Sequence, residues 1–226
     1  MYQLKLDDIT KVYASGQATN EVLKGVTYSF DSVFSYAISG VSGTGKSTLM
    51  HILAGIDKPT SGEVLYNGQS LDSLSLQDKD AFLNKTVGLV FQDPYLIKEL
   101  SVAENVMLKG LIAEQNYKEA YAQACELLRL VELGDKADQH PLSLSGGQQQ
   151  RIAILRALFN KPQILLADEP TGNLDVESAE VIINLLEKGK EWGMGLIVSS
   201  HDVSVVDKMN IQLTLKQGKL FESSKK

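Results

Sequence analysis

The sequence predicts an α/β fold: a phosphate-loop core with a mainly parallel sheet, a small antiparallel β-subdomain and a helical insertion. Three observations predict it. Gly40-Val41-Ser42-Gly43-Thr44-Gly45-Lys46-Ser47 fits G-x-x-x-x-G-K-[ST] and stands between a strand-like run and a helix-like one. Strand-like and helix-like segments alternate on either side of the chain's middle, which is the pattern of a parallel sheet. Between them, Ser101 to Val131 is proline-free, rich in Ala, Leu, Glu and Lys, and helical in period.

The elements follow in order. The first sixty-odd residues read as short strands punctuated by turns, including runs from Val22 to Phe30 and from Phe34 to Ser39. The second run feeds the glycine loop. Lys46 to Ala54 reads as a helix with Gly55 as its stop signal. Pro59-Thr60-Ser61-Gly62 and Asn67-Gly68 bracket a short strand, Glu63 to Tyr66. Val87-Gly88-Leu89-Val90-Phe91 has the continuous apolar character of a parallel strand buried on both faces. Two helices are expected between Ser101 and Val131, broken near Gln115-Asn116, and another from Ser145 to about Phe159. Strands return at Gln163–Ala167, Met194–Ser199 and Ile211–Leu215, with a helix at about Val176–Lys190. The expected division is a core of residues 1–92 and 159–226, with the insertion at 93–158.

Composition narrows the function classes. With 43% hydrophobic and 22% charged residues the chain reads as an ordinary globular protein. No apolar run reaches the ~20 residues of a membrane-spanning helix. The net charge of −6 argues against nucleic acid as a partner, because backbone phosphates call for a basic face. Cys125 is the only cysteine, so neither an intrachain disulfide nor a cysteine metal cluster is available. The N-terminus has neither the basic start nor the apolar block of a secretory leader, and a cytoplasmic location is the expectation.

The candidate chemistry is that of a triphosphate site. Glycines let backbone N–H groups wrap an anion, and a helix N-terminus adds a favourable field. Gly40, Ser42, Gly43, Thr44, Gly45, Lys46, Ser47 and Thr48 are the expected contacts to ATP. Lys46 supplies a point charge to the β- and γ-phosphates, and Ser47 offers a hydroxyl to Mg²⁺. Ile164-Leu165-Leu166-Ala167 leads into Asp168 and Glu169, and ligands of open α/β sheets sit at the carboxyl ends of strands. There Asp168 suits Mg²⁺ through its water shell, and Glu169 suits the general base that polarises an attacking water. His201 follows another apolar strand and is placed to reach the γ-phosphate and steady the water. Gln92 ends the Val87–Phe91 run, where a carboxamide can reach Mg²⁺ or the water. His51 and His140 have no such context and read as packed or surface residues.

Leu144-Ser145-Gly146-Gly147-Gln148 is a second glycine turn opening a helix. With it, the chain resembles the ATP-binding cassette (ABC) ATPases along essentially its whole length. The order of phosphate loop, Gln92, signature, Asp168-Glu169 and His201 is that family's order. The resemblance implies a RecA-like core and two cassettes closing head to tail around two ATP molecules. Ser145, Gly147 and Gln148 would contact the nucleotide bound by the other copy. Asn173-Leu174-Asp175 resembles the loop that couples the two sites, with Asp175 near nucleotide, and Tyr13 resembles the aromatic residue that stacks on adenine.

Within the family, Asp168 to Asp175 and Ser101-Val102-Ala103-Glu104-Asn105-Val106 look most like the LolD/MacB/FtsE-like group. That group implies separate integral membrane subunits as partners and a place on the cytoplasmic face of the membrane. Lipoprotein release, peptide or macrolide export and mechanotransduction all remain open as the work done. The alternative is a soluble ABC ATPase acting on a protein scaffold, as in iron–sulfur cluster assembly. Two small departures from the family pattern occur: Asp31-Ser32-Val33 in place of a Gly-Glu-like turn, and Ser200 where threonine is common before the histidine.

Overall fold

The computed structural model describes residues 2–15, 18–172 and 174–223. The expected short strand from Phe34 to Ser39 is present as Ser35–Ser39, but the residues before it are not short strands. β1 (Gln3–Ser15) and β2 (Ala18–Asp31) form one long antiparallel ladder, whose register shifts near Ile9 and Lys11. Such shifts bend and twist a ribbon, which lets strands of 13 and 14 residues wrap over the core. β4 (Ser61–Tyr66) pairs with the other edge of β1, and β5 (Gln69–Ser70) pairs with β4. This four-stranded sheet is the antiparallel subdomain.

The second sheet is mainly parallel. It contains β3 (Ser35–Ser39), β6 (Val87–Val90), β7 (Ile164–Asp168), β8 (Gly195–Ser199), β9 (Ile211–Lys216) and β10 (Lys219–Glu222), in the order β10-β9-β3-β8-β7-β6. Only the β9–β10 pair is antiparallel. Side chains alternate between its faces with the period of two that a strand imposes. Leu165, Ala167, Leu196 and Val198 join one buried cluster, while Ile164, Leu166 and Ile197 join the other. On the second face lie α1 (Lys46–Leu53) and the antiparallel sheet. A short helix, α2 (Leu76–Ala81), capped by Ser75, leads through Phe82–Thr86 into β6.

The first face carries α3 (Val102–Ile112), α4 (Tyr117–Arg129), α5 (Gly146–Leu158) and α6 (Val176–Glu191). The expected break at Gln115-Asn116 is real, with Asn116 capping α4 through Lys118 N–H at 2.9 Å. α4 buries Ala120, Ala124 and Leu128, an i, i+4, i+8 stripe, and keeps its charges outside. From Ile152 to Leu158, α5 is buried at every position but Arg156, as expected of a helix packed on several sides. The last helix, α7 (Val203–Val206), is a single turn capped by Asp202.

β6 is an edge strand, so one row of its carbonyls lacks a strand partner. Helix side chains reach one carbonyl of this strand and one just beyond its end. Lys109 Nζ of α3 donates to Val87 O at 2.8 Å, and Gln150 Nε2 of α5 donates to Phe91 O at 3.1 Å. Burial, reinforced by the nearby Arg156 cation, lowers the Lys109 ammonium from 10.5 to about 8. Between those values the unfolded chain holds a proton that the folded chain has released, so stability rises with pH across that window. Below about pH 8 both states are protonated and the penalty for the buried charge is constant. Lys109→Met removes the titration. Comparing urea unfolding of the two proteins from pH 8 to 10.5, wild type should gain up to roughly 3 kcal/mol relative to the variant. A pH-independent difference would show that Lys109 keeps its ordinary titration.

Candidate functional site

The strands β3, β7 and β8 end on one side of the sheet, and the candidate site gathers there. β3 runs into the glycine loop and the loop into α1, whose N-cap is Gly45. Gly45 has φ 100°, and a Cβ there would stand 2.4 Å from Val22 Cγ1. Only glycine fits that turn. No acidic residue sits in the first turn of α1, so its unpaired N–H groups open toward the loop without a competing carboxylate. Thr44 closes the turn internally, donating its hydroxyl to Val41 O at 2.8 Å. Ser42, Gly43 and Ser47 are exposed and Thr48 is half-buried, so ligand can reach the loop from solvent.

Lys46 is 9% exposed and folds back over the loop, with Nζ 2.9 Å from Gly40 O and 3.4 Å from Glu169 Oε1. Asp168 is the last residue of β7 and is buried, accepting a hydrogen bond from the Ser199 hydroxyl. Glu169 follows with φ 44°, a left-handed conformation that costs a residue with a Cβ about 1–3 kcal/mol. Its backbone N–H is held by Ser199 O at 2.9 Å. That turn aims the side chain back across the strand ends. Oε1 faces Lys46, and Oε2 lies 2.9 Å from His201 Nδ1. An ionised carboxylate only accepts, so Nδ1 carries the proton of this contact and the imidazole ring is oriented by it.

Gln92 is exposed and makes no side-chain hydrogen bond among the described residues. The β6–β7 register nevertheless puts it abreast of Glu169: Val90 pairs with Ala167, and each residue lies two positions beyond that pair. Tyr13 stands beside the first turn of α1, its hydroxyl 3.5 Å from Thr48 Oγ1 and 3.0 Å from Asp57 Oδ2. Partial burial works to raise the Asp57 carboxyl. Hydrogen bonds from Lys11 and Tyr13 outweigh it and hold the group below its ordinary range. Lys11 Nζ also sits 4.9 Å from the Tyr13 ring centroid, a cation–π contact that steadies the ring.

The signature turn stands apart from these groups. Ser145 caps α5 in a reciprocal box with Gln148: Ser145 Oγ accepts from Gln148 N–H, and Gln148 Oε1 accepts from Ser145 N–H. The Gln148 carboxamide oxygen therefore serves the helix start. Gly147 is packed so closely that a Cβ would stand 2.6 Å from Ser178 Oγ. Asp175, exposed at the start of α6, accepts from Ser178 N–H and hydroxyl, bonds that hold its carboxyl below the usual range. Asn173, between Gly172 and Leu174, lies outside the described residues. No hydrogen bond or ion pair among the described residues joins residues 145–148 to residues 40–47.

Sequence reasoning passed over the residues that hold the site together. Ser199 touches both Asp168 and Glu169, yet only the parallel pairing of β7 with β8 reveals it. Asp57 holds Tyr13 from a distant segment and is itself paired with Lys11, two residues from Tyr13 on β1. As to metal, no group of three or more His, Cys, Asp or Glu side chains poised for an ion exists among the described residues. Mg²⁺ favours one or two protein oxygens supplemented by phosphate and water. The Ser47 hydroxyl, the Asp168 carboxylate and the Gln92 carboxamide are oxygen donors of that kind.

The prediction for this loop is steric. Gly45→Ala should lower stability by about 1–3 kcal/mol in thermal unfolding. It should also weaken nucleotide binding by more than about tenfold in a fluorescent-nucleotide titration, because α1 shifts away from Val22. Wild-type binding by the variant would show that the left-handed turn does not shape the cradle.

Comparison with known proteins gives consistent matches. The ABC transporter family profile matches residues 23–172. The dimeric structure of MJ0796, described as a bacterial ABC transporter cassette, shares 38% identity and a TM-score of 0.91, over 97% of each chain. A dimeric post-hydrolysis state of the ATP-binding cassette MJ0796, bound to ADP and Pi, shares 37% identity with a TM-score of 0.90, also over 97% of each chain.

Proposed function

This chain belongs to the ABC transporter family as an ATP-binding, ATP-hydrolysing cassette, and from that premise we propose that it works as a homodimer powering separate integral membrane subunits. One observation carries the homodimer. The N-terminus of α5, with Ser145 as its cap, is exposed, and no hydrogen bond or ion pair among the described residues joins it to its own chain's phosphate loop. A helix N-terminus of this kind attracts anions, and the γ-phosphate held by a second copy is the anion it would meet. The related cassette MJ0796 is dimeric, which supports the same reading.

In this reading the phosphates lie over the N-terminus of α1, with Tyr13 as the adenine platform. Lys46 moves its charge from Glu169 toward the phosphates. Glu169 then accepts the proton of the attacking water, and His201 keeps the carboxylate and the water aligned. Mg²⁺, held by Ser47, Asp168 and Gln92, would neutralise phosphate charge. Asp175 and the turn before it would carry one site's state to the other. Closure adds contacts available only to the paired state, so ATP favours the closed dimer. The insertion, residues 93–158, would receive a cytoplasmic helix of a membrane subunit, which places the cassette on the cytoplasmic face of the membrane. Work on lipoproteins, peptides, macrolides or a mechanical signal fits this arrangement.

Three measurements test the reading. Glu169→Gln should lower kcat by about 10²–10⁴-fold, as expected for loss of a general base. It should at the same time tighten ATP binding, because Lys46 loses its competing carboxylate. Normal turnover by the variant would refute the general-base role. Specific activity of the isolated wild-type chain should rise faster than linearly with protein concentration. A strictly proportional rate at high dilution would refute the shared site. Recovery of membrane subunits with the chain from detergent-solubilised membranes separates this reading from a soluble scaffold-acting ATPase.

A further inference from the structure

The segment from Phe91 to Ser101 has no regular structure, yet its backbone is held on both sides of Gln92 by one helix. Gln150 of α5, 3% exposed, donates from Nε2 to Phe91 O at 3.1 Å, one residue before Gln92. Arg156, six residues on, donates from its two terminal nitrogens to Pro94 O and Tyr95 O, both at 2.7 Å. Tyr95 has φ 42°, an uncommon conformation for a residue with a Cβ, and the guanidinium fixes its carbonyl there. The Phe91 ring packs edge-on against Tyr95 with centroids 5.3 Å apart. No acid pairs with Arg156 among the described residues, so its fork is committed to these carbonyls.

A helix of this length is stiff, and the eleven residue steps from Ser145 to Arg156 span about 16 Å. The backbone flanking Gln92 therefore cannot shift relative to α5 without breaking three hydrogen bonds, two of them charge-assisted. We propose that Gln150 and Arg156 are positioning residues that clamp the Gln92 segment to the signature helix. A displacement of Gln92 at the chain's own nucleotide then becomes a displacement of Ser145 at the partner's. The inference rests on the proposed role of Gln92 in turnover.

Arginine is needed because its planar fork spans two carbonyls, whereas a lysine ammonium reaches them as a single point. Arg156→Lys should lower ATPase kcat about tenfold with KM changed by less than about threefold, since nucleotide contacts stay in place. In a Gln92→Ala background the same substitution should lower kcat by no more than about twofold, because its effect passes through Gln92. Gln150→Met, close in volume, removes only the bond to Phe91 O. It should show the same non-additivity with a smaller loss, and it carries the test if Arg156→Lys does not fold.

A lowered melting temperature with unchanged kcat would overturn the clamp and leave a purely structural role. So would factors that multiply independently in the double variant. If Gln92→Ala alone turns over like wild type, the reading of Gln92 fails and the inference falls with it. An impaired Gln92→Ala with independent factors overturns the clamp alone.

Discussion

Lys46 is a buried cation, and the candidate site is arranged around the need to match its charge. An ammonium with 9% exposure must be surrounded by oxygen. The chain supplies Gly40 O from the loop and Glu169 Oε1 from the end of β7. Those two oxygens belong to distant parts of the chain and meet because β3, β8 and β7 run side by side in parallel. Phosphate oxygens compete for the same ammonium. In the proposed function, nucleotide binding and release of the Glu169 carboxylate would be two sides of one exchange, tying the readiness of the proposed base to the presence of its substrate.

Glu169 is held for this exchange at some cost. Its left-handed φ is sustained by the bond from its N–H to Ser199 O and by the Gly172 N–H bond to its own carbonyl. The same turn places Oε2 against His201, so the carboxylate is fixed at both oxygens. In the proposed general-base role, a carboxylate pre-set in this way would need no reorganisation at the moment of reaction, which is where fixed polar groups contribute most.

α5 ties the sheet to the segment around Gln92. Its buried face unites with Leu165, Ala167, Leu196 and Val198 of the sheet in one cluster. Its polar side chains Gln150 and Arg156 hold carbonyls around the end of the edge strand. Its N-terminus, meanwhile, is exposed at Ser145. One stiff element thus touches the surroundings of Gln92 and presents a free anion-seeking end, and a dimer would make both ends matter at once.

How much of this was legible in the residues depends on the range of the interaction. The phosphate loop, the α5 cap at Ser145, the break at Asn116 and the strand ending in Asp168-Glu169 all rest on neighbours a few positions apart. Glycine conformation, capping chemistry and apolar runs determine such features locally, so the sequence by itself specified the α/β class and most of the candidate residues. The long β1–β2 ladder was misjudged as short strands because its bulges interrupt the alternation that marks a strand. The partners that make the site work were out of reach of spacing alone: Ser199 against Asp168, Lys46 against Glu169, Asp57 against Tyr13, Arg156 against the carbonyls beside Gln92. Each is a contact between segments more than thirty residues apart. Only the packed sheet, with its particular strand order and register, decides which of many possible polar groups becomes the neighbour of a buried charge.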